Sequence, residues 1–251
     1  MKFLGIIPAR YASTRFPGKP LVDLMGKPML QWVYERVNNL LDRVVVATDD
    51  ERIVQAVKNW SGEVMLTSPN HLSGTDRCLE ACQKLKENYD VIINIQGDEP
   101  FIHHSQIELL KAAFTNHLTE IATLIKPFSS DDDFDNLFNP NTPKVIINSK
   151  GQAVYFSRSV IPYIRGLHHS EWLKKHVFYK HIGIYAYKPK VLHEITSLPQ
   201  SILEKAESLE QLRWIENGYK IQTMITNEDT IGIDTPKDLE IALKKAMLYL
   251  K

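Results

Sequence analysis

Three short apolar runs constrain this chain most. Residues 3–8, 43–48 and 90–95 read Phe-Leu-Gly-Ile-Ile-Pro, Arg-Val-Val-Val-Ala-Thr and Asp-Val-Ile-Ile-Asn-Ile. A strand with one wet face alternates apolar and polar side chains. An unbroken run is apolar on both faces, and so needs cover on both. The intervening segments supply that cover. Residues 29–41 place Leu30, Val33, Val37 and Leu40 on one helical face, and residues 51–60, 76–88 and 104–117 also read as helices. Shorter strands are expected at 63–67 and 121–126. The pattern predicts an α/β fold, a mostly parallel Rossmann-like sheet with helices on both faces. In such sheets ligands bind beyond the carboxyl ends of the strands. The segments expected at the site are therefore the loop from Pro8, Asp49-Asp50, and Gln96-Gly97-Asp98.

After about residue 127 the rhythm changes. Residues 129–143 read as a surface loop with a short helical turn, including Asp131, Asp132 and Asp133. Strands are expected at 144–148 and 152–157 around the turn Ser149-Lys150-Gly151, and again at 181–188. A helix at 208–218, ending at Gly218, and a strand at 219–226 follow. The last helix opens at Thr235-Pro236 and carries Leu239, Ala242, Leu243, Ala246, Met247 and Leu250 as one stripe. The organisation expected is a single domain over 1–251 with an inserted antiparallel segment at 128–190.

Lys plus Arg and Asp plus Glu balance at 30 each over 251 residues, which argues against a nucleic-acid or membrane partner held by net charge. No run approaches the roughly 20 apolar residues of a membrane span. The apolar N-terminus is too short for a signal sequence and leads directly into Arg10 and Arg15, so it reads as a buried strand. Cys78 and Cys82, four apart on an expected helix, offer neither a zinc ligand set nor a disulfide framework. A reduced, cytoplasmic protein is expected. The pairs His103-His104 and His168-His169 read as surface or loop residues, and no His-Glu-x-x-His is present.

The chemistry concentrates in five places. From Pro8 to Lys19 one loop carries Arg10, Arg15 and Lys19, the hydroxyls of Ser13 and Thr14, and Gly18. A triphosphate needs such charge-assisted donors, although a solvated basic loop has the same composition. Ser73-Gly74-Thr75-Asp76-Arg77 reads as a helix start with Thr75 as candidate N-cap. Asp98, after the strand ending at Ile95, is a natural magnesium ligand or else simply opens a turn. Asp234 precedes the last helix, where an acidic residue suits the cap and the dipole. His181, Gly183 and Tyr185 share a strand face, and the missing side chain at 183 leaves room for a ligand.

The opening Ile-Pro-Ala-Arg-x-x-Ser-x-Arg-x-x-Gly-Lys-Pro-Leu of residues 7–21, together with Ser73–Arg77, Gln96-Gly97-Asp98 and Asp234-Thr235-Pro236-x-Asp238-Leu239, resembles the CMP-Kdo synthetase (3-deoxy-manno-octulosonate cytidylyltransferase) family. The resemblance runs from residue 3 to about 245. It implies a nucleotidyltransferase that transfers CMP from CTP to Kdo, giving CMP-Kdo and pyrophosphate for lipopolysaccharide biosynthesis. It also implies Mg²⁺ as cofactor and a homodimer in contact through the inserted segment. Carried over residue by residue, Ala9, Arg10, Ser13, Arg15, Lys19, Ser73, Thr75, Arg77 and Gln96 bind the nucleotide. Asp98 and Asp234 hold the metal, and with Arg10 and Lys19 they form the catalytic set. Arg158, His181, Tyr185, Glu210 and Gln211 bind the acidic sugar. Two alternatives stay open: CMP activation of a related acidic sugar (8-amino-Kdo or sialic acid), and a non-catalytic nucleotide-binding regulator.

Overall fold

The structure, a computed structural model, describes residues 1–12, 16–129, 134–229 and 232–249, and in the last helix the side chains up to residue 244. The strands in chain order are β1 (Phe3–Ala9), β2 (Asp23–Leu24), β3 (Lys27–Pro28), β4 (Arg43–Thr48), β5 (Val64–Leu66), β6 (Val91–Asn94), β7 (Ile121–Pro127), β8 (Lys144–Ile147), β9 (Ala153–Ser157), β10 (Tyr179–Tyr187) and β11 (Ile221–Ile225). The helices are α1 (Met29–Val37), α2 (Glu51–Asn59), α3 (Gly74–Leu85), α4 (His104–Ala113), α5 (Phe134–Phe138), α6 (Trp172–Lys175), α7 (Pro189–Thr196), α8 (Ile202–Glu207), α9 (Gln211–Glu216) and α10 (Pro236–Tyr249).

The chain divides into two compact units. One comprises Met1–Ile107, Lys188–Leu192 and Thr230–Lys251; the other comprises Glu108–Tyr187 and His193–Asp229. In the first, β6, β1, β4 and β5 lie side by side, all parallel, with Ile6 opposite Val45 on one side and Asn94 on the other. The unbroken apolar runs are buried as expected: Leu4, Ile6, Ile7, Val45, Val46, Ile92 and Ile93 have no exposed surface. A second cluster, Leu24, Met29, Ile233 and Ala242, secures α10 to the same unit.

In the second unit β7 lies between β11, which is parallel to it, and β10, which is antiparallel. The β8–β9 hairpin continues from β10. The expected antiparallel structure is therefore present, with Gly151 at φ 70° in the hairpin turn. Phe128, Leu137, Trp172 and Phe178 form a core of their own.

Two expectations require correction. The helix expected at 208–218 is the shorter α9, and a separate short helix that was not expected, α8, precedes it. Ser201 and Glu204 close a reciprocal capping box that starts α8 earlier, and Ser208, at φ 50°, ends it. The cap of α3 is Ser73 and not Thr75. Asp76 N–H donates to Ser73 Oγ at 3.1 Å and Ser73 N–H donates back to Asp76 Oδ2 at 3.0 Å, so the helix begins one residue before Thr75.

Candidate active site

In the first unit three distant segments converge. β1 ends at Ala9 and delivers a loop that closes on itself, with Gly18 N–H donating to Tyr11 O at 2.9 Å. Gly18 has φ 73°, and a Cβ there would stand 3.1 Å from the Tyr11 hydroxyl, so the turn suits only glycine. Lys19 follows at the start of a 3₁₀ turn. β6 delivers Gln96-Gly97-Asp98. A Cβ on Gly97 would lie 3.1 Å from Pro8 O, so the missing side chain lets this turn press against the exit of β1. The third segment is fastened by a backbone bond, Ile233 N–H to Asp98 O at 2.9 Å, which sets Asp234 beside Asp98.

Lys19 Nζ donates to Asp98 Oδ2 at 2.6 Å and to Asp234 Oδ1 at 2.9 Å. Burial lowers the lysine pKa, but Asp98 and then Asp234 outweigh it, so the ammonium is held above its ordinary value. Asp234 is not the cap of α10. That task falls to Thr235 and Asp238, with Thr235 N–H and Oγ1 both 2.8 Å from Asp238 Oδ2. The Asp234 carboxylate therefore faces Lys19.

Around this centre Arg10 is exposed and donates to His71 O, joining the basic loop to the segment before α3. Ala9 is buried at the end of β1, Thr75 is buried in the first turn of α3, and Gln96 is partly buried at the end of β6. Arg77 is fully buried, with its guanidinium donating to Thr67 Oγ1 at 2.5 Å and Asp49 Oδ2 at 3.1 Å. It braces the ends of β4 and β5 against α3. Asp50 caps α2, accepting from Arg52 N–H at 2.9 Å, so of the expected pair at the end of β4 one carboxylate caps a helix and the other anchors Arg77. Ser13 and Arg15 lie outside the described residues.

The second unit gathers the remaining predicted residues. His181 Nε2 stands 3.0 Å from Thr123 Oγ1, and its ring packs edge-on against Phe156 at 4.9 Å between centroids. Tyr185 packs on His181 at 5.3 Å and edge-on against Trp214 of α9 at 5.0 Å. Burial depresses the His181 pKa to about 3, so the ring is neutral. Burial, aided by the charge of Glu210, raises that of Tyr185, so it keeps its proton. The Gln211 amide nitrogen is buried without a hydrogen-bond partner, and the buried Tyr185 hydroxyl has the Thr123 hydroxyl as its polar neighbour. Unpartnered buried polar atoms are costly. On β10 itself, no heavy atom lies within 4 Å of a Cβ built on Gly183. Glu210 accepts from Arg213 at 2.8 Å. Arg158 directs three of its guanidinium donors to Glu207 O at 2.6 Å, Pro140 O at 2.8 Å and Ser208 O at 3.2 Å, and so braces the loop before β8 against the end of α8.

A model of the cytidylyltransferase family matches residues 4–221. A 3-deoxy-manno-octulosonate cytidylyltransferase of Parabacteroides distasonis is 67% identical over 97% of this chain and 97% of its own length. The chain belongs to the 3-deoxy-manno-octulosonate cytidylyltransferase family. A member from Bacteroides thetaiotaomicron is 61% identical over 96% of this chain and 97% of its own. The solved structure of a CMP:2-keto-3-deoxy-manno-octonic acid synthetase complexed with CTP superposes with a TM-score of 0.90 at 42% identity, covering 99% of this chain and all of that one.

As a 3-deoxy-manno-octulosonate cytidylyltransferase the chain is a nucleotidyltransferase, and two of its supporting residues escaped the sequence reading. Lys144, fully buried, donates to Asn139 O at 3.0 Å, Thr142 O at 2.7 Å and Arg158 O at 2.6 Å, and burial lowers its pKa to about 8. Glu207 accepts from Ser157 Oγ at 2.6 Å and Arg158 N–H at 2.8 Å. The signal for Lys144 was a lysine opening an apolar strand; Glu207 opens the segment that carries Glu210 and Gln211, but residue order does not show its partners, 49 and 50 residues away.

Proposed function

We propose that this chain transfers CMP from CTP to Kdo, releasing pyrophosphate and forming CMP-Kdo. The convergence of Lys19, Asp98 and Asp234 carries the reading. Two hard carboxylate oxygens meeting at one cation suit Mg²⁺, which typically takes one or two carboxylates and completes its shell with phosphate oxygens and water. Among the described residues no cluster of three or more His, Cys, Asp or Glu offers a richer site. Asp98 and Asp234 would hold the ion. Bound there, it would polarise the α-phosphate and favour loss of the proton from the attacking sugar hydroxyl.

Lys19 and Arg10 would offset the charge on the triphosphate and the departing pyrophosphate, and Arg15 and Ser13 join them by resemblance. Ser73, Thr75, Arg77 and Gln96 would form or brace the base pocket, while Arg158, His181, Tyr185, Glu210 and Gln211 would form or brace the site for the sugar acid. Catalysis is then positioning and charge neutralisation, with no covalent intermediate.

The decisive measurement is pyrophosphate release from CTP with Kdo, 8-amino-Kdo or a sialic acid in parallel. Turnover should be fastest with Kdo and should require Mg²⁺. No release with any of the three would favour a nucleotide-binding regulator, and a clear preference for another sugar would move the substrate. We place the reaction in the cytoplasm, in keeping with the free cysteines Cys78 and Cys82. No helix among the described residues is long and apolar enough to cross a membrane. We take residues 128–190 as the contact of a homodimer, on the exposure of Tyr163 and Val177 there, to be checked by the mass in solution.

A further inference from the structure

β10 does not run evenly beside β7. Ile182 stands opposite Leu124 and Tyr185 opposite Thr123, so β10 carries two extra residues, Gly183 and Ile184, at a single step of β7. Bulges of this kind interrupt the ladder and re-aim side chains. The fully buried Thr123 hydroxyl fills the interruption: Oγ1 lies 2.8 Å from Ile184 O and 3.2 Å from Ile182 O.

A hydroxyl has one proton, and a carbonyl oxygen can only accept. With that proton directed to a carbonyl, Oγ1 can meet His181 Nε2 at 3.0 Å only as an acceptor, and the Tyr185 hydroxyl beside it, able to donate its own proton, does not change this. Nε2 must therefore carry the ring hydrogen. In the opposite arrangement Thr123 would turn its proton to the imidazole, and two buried carbonyl oxygens would face a lone pair. A neutral imidazole has one N–H, so Nδ1 is left as an acceptor. Next along β10 lie the open space at Gly183 and the Tyr185 ring, 5.3 Å from the imidazole between centroids.

We propose that Thr123 sets the tautomer of His181 so that Nδ1 accepts a hydrogen bond from a hydroxyl of the sugar acid. The proposal rests on the assignment of this pocket to the sugar. Tyr185 and Gln211 can donate to the oxygens of an acidic sugar. Nδ1 supplies the acceptor that its hydroxyls need. Thr123 is a positioning residue and touches no substrate.

The test is ¹⁵N NMR of histidine-labelled protein, with the His181 signals assigned by their loss in His181→Ala. The free enzyme should show a protonated Nε2 and a bare Nδ1, and Thr123→Ser should retain that pattern. Thr123→Val should lose the preference and raise the KM for Kdo about tenfold, the worth of one neutral hydrogen bond, with the KM for CTP unchanged. A protonated Nδ1 in the unaltered protein would overturn the proposal, and this readout does not depend on the variant folding. So would a Thr123→Val enzyme whose tautomer changes while its KM for Kdo does not. If His181→Ala leaves that KM unchanged, the assignment of the pocket itself fails, and the proposal falls with it.

Discussion

Two aspartates four residues apart divide the work at the start of α10. Asp238 accepts three hydrogen bonds from Asp234 and Thr235, whereas Asp234 bonds to Lys19. Their substitutions should therefore separate. Asp238→Ala should lower the melting temperature by roughly 2–4 °C, the loss of a helix cap of about 1 kcal/mol, with turnover largely kept. Asp234→Ala should leave melting nearly unchanged and lower kcat by about a hundredfold or more. Asp98→Asn keeps the size and most of the hydrogen bonding of the side chain but removes its charge. Turnover should fall by roughly three orders of magnitude while circular dichroism and melting stay close to those of the unaltered protein. Near-normal turnover in Asp98→Asn would refute the metal assignment. The sequence alone could not distinguish Asp234 from a cap, because both roles need an acidic residue just before the helix. Only the partners of each carboxylate separate them.

Elements, more than single residues, hold the α3 end of the first unit together. α3 is capped by Ser73 and Asp76 and tied back to β4 and β5 by Arg77. Glu80, one turn further, gathers the segment that precedes the helix: it accepts from Ser68 N–H at 2.8 Å, contacts His71 and pairs with Lys84 at 2.7 Å. Burial pushes its carboxyl pKa up, but Lys84, the Ser68 amide and His71 pull it down further, to about 2. A carboxyl lower in the folded than in the unfolded chain stabilises the fold above its unfolded pKa, and that contribution disappears as pH falls from about 4.5 towards 2. Glu80→Gln should therefore melt below the unaltered protein at pH 7, and the gap should shrink between pH 4.5 and 3. A gap that does not change with pH would show that the charge of Glu80 is not what matters. Most strands and the early helices were legible, because burial on both faces and a helical period write themselves into residue order. α8 was missed although Ser201-x-x-Glu204 spells a capping box, since its six residues are too few to show a period.

At the scale of the whole molecule, the chain is two compact units, and the predicted residues fall into both. The nucleotide set, as far as it is described, lies in the first and the sugar set in the second. Hydrogen exchange should register this division. CTP with Mg²⁺ should slow exchange around Arg10, Lys19, 73–77 and 96–98, and Kdo should slow it in 181–185 and 210–213. Protection by CTP confined to the second unit would reverse the assignment. By itself the sequence determined the α/β class, the parallel strands and the segments that carry charge to strand ends. These follow from local periodicity and from the general rule that ligands bind beyond the carboxyl ends of a parallel sheet. The tertiary structure decided which charges meet. Lys19 joins carboxylates 79 and 215 residues away, and Thr123 reaches His181 across 58. Such pairings depend on how strands register and where one bulges. Residue order records hydrophobicity at each position but not the distance between two polar groups, and it is that distance, from Lys19 to Asp98 and Asp234, that holds the ammonium charged.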